Sequence, residues 1–223
     1  MLKELLNFAW HAPKAYYLSK TLPQSQLYDL LMLKVEKLGM AKWRAELVGN
    51  LSGHVLEIGC GTGLMFPYYP KATQVQAIEP FPKFLDAAKE RKRTSPAKIN
   101  IIAAEGEAIP FKENRFDFVV VGLVMCSVKN QERFLNEIRR VLKPDGEIRL
   151  IEHVISKKPV SAFLMDKLNP IWLHLNKQNC HMNRDTEAII QAHGFHLEDV
   201  RSFKILPQGI PAFPMRWIRA VPK

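Results

Sequence analysis

The sequence predicts an α/β fold: a mostly parallel sheet with helices on both faces, preceded by a helical segment. Three observations carry that expectation. From His54 onward short apolar runs alternate with helical stretches, the order that βαβ units require. The first of those runs leads directly into three glycines at alternate positions, Gly59, Gly61 and Gly63. The second ends in a carboxylate, Glu79, 20 residues after Gly59.

Taken in order, residues 1–22 mix aromatics with bases (Phe8, Trp10, His11, Lys14, Tyr16, Tyr17) and then reach Pro23, which reads as an irregular or short helical arm. From Ser25 to Leu51 apolar residues recur close to a helical period, among them Leu27, Leu30, Leu31, Leu38 and Leu47, so one or two amphipathic helices are expected, broken near Gly39. Residues 1–51 are thus an arm and helical cap, and 52–223 the domain that follows. Ser52-Gly53 supplies the helix stop. The predicted strands are Val55–Ile58, Gln74–Ile78, Ile99–Ala103, Phe118–Leu123, Glu147–His153, Glu198–Ile205 and Met215–Val221. Helices are expected around Met65–Tyr69, Pro82–Arg91, Gln131–Val141 and Arg184–His193. Lys143-Pro144-Asp145-Gly146 reads as a turn, with glycine where a positive φ is often needed. Residues 156–183 fit the alternation poorly. An insertion after a strand's carboxyl end is where α/β folds place substrate contacts.

A chain of 223 residues, 47% hydrophobic and 24% charged, can bury a core without disulfides or metals. Its longest apolar run, Phe118 to Cys126, falls well short of the ~20 residues needed to span a bilayer. Leu5 to Trp10 is too short and mixed for a secretory leader, so a cytoplasmic protein is expected. Cys60, Cys126 and Cys180 are odd in number and widely spaced; they match neither a disulfide framework nor paired zinc ligands, and a reducing compartment follows. The net charge of +10 divides as +3 over 1–50, +2 over 51–156 and +5 over 157–223. If the two ends converge, that face attracts acidic substrates, anionic lipid or nucleic acid; otherwise it is a solvated surface.

In Val55-Leu56-Glu57-Ile58-Gly59-Cys60-Gly61-Thr62-Gly63 the glycines let the chain turn tightly with no Cβ between backbone and ligand. A dinucleotide fingerprint would need its third glycine at position 64, which is Leu64. A carboxylate at Glu79, level with the glycine loop, can accept both ribose hydroxyls of an adenosine.

The ordered segments VLEIGCGTG, AIEPFPKFLDAAKER, AAEGEAIPFKENRFDFVVVGLVMCSV and FLNEIRRVLKPDGEIRLIEHV resemble the motifs of class I S-adenosylmethionine-dependent methyltransferases, which are Rossmann-like. The resemblance implies S-adenosylmethionine as cofactor and S-adenosylhomocysteine as product. It places Glu57 near the methionine end, Gly59, Gly61 and Gly63 in the loop, Glu79 on the ribose, Glu105 on the adenine amino group and the Gly106 N–H on a ring nitrogen. Glu107 competes for the Glu105 role. More narrowly, the stretch from Cys126 through Phe195 is similar to the animal membrane-associated alkyl-thiol methyltransferases and their bacterial relatives, some labelled phospholipid methyltransferases. Where the animal proteins carry a long hydrophobic anchor, this sequence has its short aromatic-basic arm, which leaves peripheral contact with an anionic membrane open.

Methyl transfer is an in-line displacement at an activated carbon, so alignment and water exclusion are the main tasks and no general base is obligatory. His153, at the end of the fifth strand, is the catalytic candidate, against the alternative of a structural histidine. Cys126 and Trp172 are candidates for the substrate pocket, against simple packing. His174, Cys180 and His181 lack the paired spacing of zinc sites, so no metal is expected. Gly122 to Val128 contains no D/N-P-P-Y/F/W motif and no RNA-binding module is appended, so nucleic acid is not an expected partner. The expected acceptor is a small molecule, best a thiol. The alternatives are a phosphatidylethanolamine headgroup, then a nucleic acid, then a non-catalytic cofactor-binding scaffold.

Overall fold

The computed structural model of the chain describes residues 21–176, 179–205 and 214–223. Seven strands form one sheet: β1 (Gly53–Ile58), β2 (Thr73–Ile78), β3 (Lys98–Ile102), β4 (Phe116–Gly122), β5 (Leu142–His153), β6 (Phe195–Phe203) and β7 (Met215–Pro222). Their order is β3-β2-β1-β4-β5-β7-β6. The first five run parallel, and β7 inserts antiparallel between β5 and β6. The order reverses between β1 and β4, and the crevice outside the carboxyl ends of such strands is where this architecture binds ligands. Each predicted strand is present, displaced by a few residues at its ends.

The strands are apolar because the sheet is covered on both faces. Val55, Val75, Ile99, Val120, Ile151 and Trp217 point to one side, and Leu56, Ile78, Val119, Val121, Leu150 and Ile218 to the other. The helices are α1 (Gln24–Val35), α2 (Ala41–Val48), α3 (Pro82–Lys92), α4 (Gln131–Val141), α5 (Pro159–Asn176) and α6 (Thr186–Ala192). In α4 the buried Phe134, Leu135, Ile138 and Val141 recur at helical spacing, and the Asn130 side chain caps the start by accepting from the Arg133 N–H at 2.9 Å. A π turn over Glu36–Met40 joins α1 to α2, with Gly39 at φ 119°, the break expected there. Of the expected arm, residues 1–22, all but the last two lie outside the described residues.

Three expectations need correction. Lys143–Gly146 is not a free turn: β5 begins at Leu142 and passes through a bulge opposite Phe116–Phe118. Gly146 is not left-handed; a Cβ there would press to 2.7 Å on the Leu142 side chain, so packing requires the glycine. The Met65–Tyr69 helix shrinks to one 3-10 turn over Phe66–Tyr68. Residues 156–183, which broke the pattern, hold the 18-residue α5. Pro170 inside it reads as a breaker, and its apolar Val160, Phe163, Leu164, Leu168 and Ile171 face outward while Asn169 is buried, which inverts the usual pattern. Among the described residues no helix is long and apolar enough to cross a membrane.

At the amino end of the sheet charges are paired. Asp117 accepts from the His54 N–H at 2.8 Å and from Lys143 Nζ at 2.5 Å. Glu147 lies between Arg149 at 2.6 Å and Arg219 at 2.8 Å, and Arg149 also donates to the Leu47 carbonyl at 2.8 Å.

Candidate active site

The β1 loop leaves the sheet at the reversal point. Gly59, Gly61 and Gly63 have φ of 68°, 55° and 81°, a region that side chains disfavour. Their surroundings differ: a Cβ on Gly59 would stand 2.5 Å from Val124 Cγ2, whereas one on Gly61 would meet nothing within 4 Å. Gly61 therefore presents bare backbone to open space. Glu79, at the tip of β2, accepts from the Gly61 N–H at 2.9 Å through one oxygen and from the Phe81 N–H at 3.0 Å through the other. Burial pushes its carboxyl up, and the two N–H groups pull against that. Glu57, inside β1, is lifted by burial to about 8, opposed by the Tyr69 hydroxyl and by Arg44.

Glu105 and Gly106 follow β3. Glu105 is exposed, with Lys129 Nζ at 3.5 Å. Its competitor Glu107 is engaged elsewhere, accepting from the Lys129 N–H at 2.8 Å ahead of α4. A Cβ on Gly106 would lie 2.5 Å from the Phe134 ring, so packing alone demands glycine there.

The sequence pointed to none of the residues that tie α1 onto this crevice. Asp29 accepts from the Thr62 hydroxyl at 2.6 Å and from Arg91 at 2.9 Å, and Arg91 also donates to the Thr62 carbonyl. Tyr28 meets Phe84 edge-on with ring centroids 5.5 Å apart. Arg44 of α2 is buried and pairs with Glu36 at 2.9 Å. An acid on a helix and a base on another carry no motif, so only the fold brings them to the loop.

Beside the glycine loop, at the ends of β4 and β5, lies a second group of residues. Leu123 takes a left-handed φ of 61°, and Glu152 Oε1 accepts from the Val124 and Met125 N–H groups at 2.6 and 2.8 Å, which holds the β4 loop in a sharp turn. Burial raises Glu152 to about 7, with His153 and those N–H groups opposing. The turn carries Cys126 toward His153, the last residue of β5. Residues 179–184 close over both: His181 N–H donates to the Cys126 carbonyl at 2.8 Å, Asn179 to the Ser127 carbonyl at 2.9 Å, and Arg184 to the Met125 carbonyl at 2.5 Å. His153 Nε2 and Cys180 Sγ are 3.0 Å apart, and the Trp172 indole of α5 helps hold the Cys180 thiol down. The Cys126 thiol and His153 both hold Cys180 well below the usual thiol range against the effect of burial; the Cys126 thiol is pushed up in turn. In His153 the Cys180 sulfur outweighs burial, which alone would lower the imidazole.

The fold brings together two cysteines that stand far apart in the sequence. Cys60 stays in the glycine loop, but Cys126 and Cys180 meet, with His153 completing the group; all three ligand-type atoms lie within 4.8 Å of one another. They come from three separate segments, so no local spacing could reveal them. His174 is exposed, and His181 faces Asn169 at 3.3 Å. The candidates His153, Cys126 and Trp172 are thus brought together, and because Val124 stands where a Cβ on Gly59 would lie, this group adjoins the loop.

A model of the methyltransferase domain matches residues 56–150. A solved S-adenosylmethionine-dependent methyltransferase from Thermotoga maritima superposes with a TM-score of 0.66 at 21% identity, over 88% of this chain and 95% of that one. Human thiol S-methyltransferase TMT1A is 36% identical over 190 residues, 80% of this chain and 74% of the relative. A phosphatidylethanolamine N-methyltransferase from Cereibacter sphaeroides is 28% identical over 148 residues, 65% of this chain and 72% of that protein. The chain belongs to the class I S-adenosylmethionine-dependent methyltransferases and, within them, to the family of thiol S-methyltransferase TMT1A.

Proposed function

We propose that this methyltransferase acts on a small apolar thiol. The observation that carries the proposal is the buried Cys126–His153–Cys180 group, an imidazole nitrogen 3.0 Å from a thiol sulfur with a second thiol beside them, set against the glycine loop. The name of the human relative agrees with it. The open backbone at Gly61 beside the buried Glu79 carboxylate fits an adenosyl cofactor, since a Cβ at that position would fill the cradle. When bound, S-adenosylmethionine supplies a sulfonium-activated methyl group. Glu57 and the loop Gly59, Gly61 and Gly63 hold the methionine side; Glu79 accepts from the ribose hydroxyls; Glu105 and the Gly106 N–H meet the adenine. The helices of residues 24–48, tied down through Asp29, act as a cap that excludes water. His153 takes the acceptor's proton or holds its thiolate, and Trp172 walls the pocket.

Purified protein should methylate small alkyl thiols in detergent-free buffer, without vesicles, and faster as the pH rises toward the thiol's pKa, ~8.5 for a cysteine-like thiol. Mass spectrometry of the products is the measure. Turnover only with phosphatidylethanolamine vesicles, and no methylated thiol in the panel, would replace the thiol by a lipid headgroup. One feature favours peripheral membrane contact as a second property: the outward stripe of Val160, Phe163, Leu164, Leu168 and Ile171 on α5, accompanied by exposed Lys157, Lys158 and Lys167. Flotation with anionic but not zwitterionic vesicles, lost in Phe163→Ser/Ile171→Ser, is the expected result. A cytoplasmic location with nucleic acid playing no part completes the proposal.

A further inference from the structure

We propose that Cys126, His153 and Cys180 bind a soft divalent metal ion, zinc by ligand chemistry, and that the open coordination position takes the acceptor as a thiolate. The second half rests on the thiol reading; the first half stands without it.

Two cysteine sulfurs and one imidazole nitrogen form a ligand set suited to zinc, and three protein ligands leave the fourth tetrahedral position for water or substrate. With Zn–S near 2.3 Å and Zn–N near 2.0 Å, tetrahedral geometry places the sulfurs about 3.8 Å apart and each sulfur about 3.5 Å from the nitrogen. The three atoms already lie within 4.8 Å of one another, with His153 Nε2 and Cys180 Sγ at 3.0 Å. Side-chain rotations that move the atoms by about an ångström or less therefore suffice. The backbone is held for such an arrangement. Cys126 follows a turn fixed by Glu152, His153 is paired with Met215 of β7 at the end of β5, and the Cys180 loop is pinned by the His181 N–H on the Cys126 carbonyl and by the Met182 N–H on Asn169 Oδ1 at 2.9 Å.

The proton balance is definite. Counted from two thiols and a neutral imidazole, or from the equivalent Cys180 thiolate beside a protonated His153, one divalent ion displaces two protons when it binds. An acceptor RSH entering the fourth position loses a third, because coordination deprotonates a thiol outright. A nucleophilic sulfur is thereby available at neutral pH. The thiolate sulfur would take the methyl group as the methyl–sulfur bond of the cofactor's sulfonium breaks, leaving S-adenosylhomocysteine and a neutral thioether, which holds the ion more weakly than an anionic thiolate and is free to leave.

The test uses the full chain, chelator-treated and kept reduced, with cobalt(II) as a spectroscopic probe and zinc as competitor. One equivalent should bind, with sulfur-to-cobalt charge-transfer and tetrahedral d–d absorption, and two protons should appear in weakly buffered solution. An alkyl thiol added without cofactor should intensify the charge-transfer band. Cys180→Ser and His153→Gln, each checked for fold by circular dichroism, should weaken binding beyond the roughly 10–100-fold that loss of an outer partner produces. Cys60→Ser should bind as tightly as the parent. Absence of stoichiometric binding, or binding indifferent to Cys180→Ser and His153→Gln, overturns the metal site; a spectrum unmoved by thiol overturns the open position. Thiol methylation is assayed in parallel on chelated and zinc-loaded protein. Full activity in the chelated form removes the ion from the reaction and leaves the thiol function standing. Bound metal with no thiol methylated does the reverse.

Discussion

At the amino end of the sheet, Asp117 and Glu147 sit among cations; at the carboxyl end, Glu57, Glu79 and Glu152 sit in a low-dielectric interior with mainly backbone N–H groups and polar side chains for company. Burial would raise the carboxyls at both ends. Lys143 and the His54 N–H outweigh it at Asp117, and Arg219 and Arg149 outweigh it at Glu147, so both are held below their usual range. At the other end burial wins, carrying Glu57 to about 8 and Glu152 to about 7. One set of strands thus spends its acids differently at its two ends: paired charges that hold elements together, and unneutralised ones kept next to a ligand-binding crevice, where perturbed groups concentrate.

The sharpest way to break this contrast is to remove one acid from each end. Glu79→Ala should weaken binding of S-adenosylmethionine and S-adenosylhomocysteine by at least ~1.5–3 kcal/mol, the range for a charge-assisted hydrogen bond, as read by calorimetry. Asp117→Ala should leave that affinity unchanged and instead cost about 1 kcal/mol of stability in a urea titration, a modest figure because the Lys143 pair is partly exposed and screened. Equal losses of affinity in the two variants would erase the distinction.

The same contrast predicts opposite pH dependences. A buried carboxyl whose folded pKa is raised favours the protonated form in the native state, so its contribution falls as pH rises from the ordinary 4.5 through the folded value, about 8 for Glu57. Asp117 and Glu147 behave in the other sense: their contribution is present above the unfolded pKa and is lost as pH falls through the depressed folded value. Urea midpoints should therefore decline from mildly acid solution toward pH 8, and Glu57→Gln should flatten that decline while leaving the acid limb unaltered. The smallest effect is expected at the cap. Asp29→Asn keeps the shape but weakens the Arg91 ion pair, and should cost about 0.5–1 kcal/mol in cofactor affinity with faster hydrogen exchange over residues 24–35.

Most of the sheet was legible because parallel strands buried on both faces read as continuous apolar runs, and the loop because glycine at positive φ has few substitutes. The same rules failed at α5, whose apolar residues face outward around Pro170, and at Gly146, where glycine answers to Leu142 rather than to backbone conformation. The candidate site residues followed the same divide. Glu57, Glu79 and the loop glycines are neighbours of a motif and could be named from it, whereas Asp29 and Arg44 carry no pattern. Cys126, His153 and Cys180 were each visible, but their meeting depends on a turn at Leu123 and a loop folded back at 179–184, both long-range facts.

The antiparallel β7 has a consequence for the order in which the molecule can be made. It is the last strand in the sequence, yet it fills the gap between β5 and β6, bonded on both sides. Until residues 215–222 emerge from the ribosome, β5 is an open edge and β6 has no place in the sheet. At roughly 5–20 residues per second, the stretch after β5 leaves that edge exposed for on the order of several seconds in every round of synthesis. An unpaired edge rich in apolar residues is a template for association with other chains. Nascent chains halted before Met215 should therefore be the species that chaperones retain, and the completed strand the event that releases them.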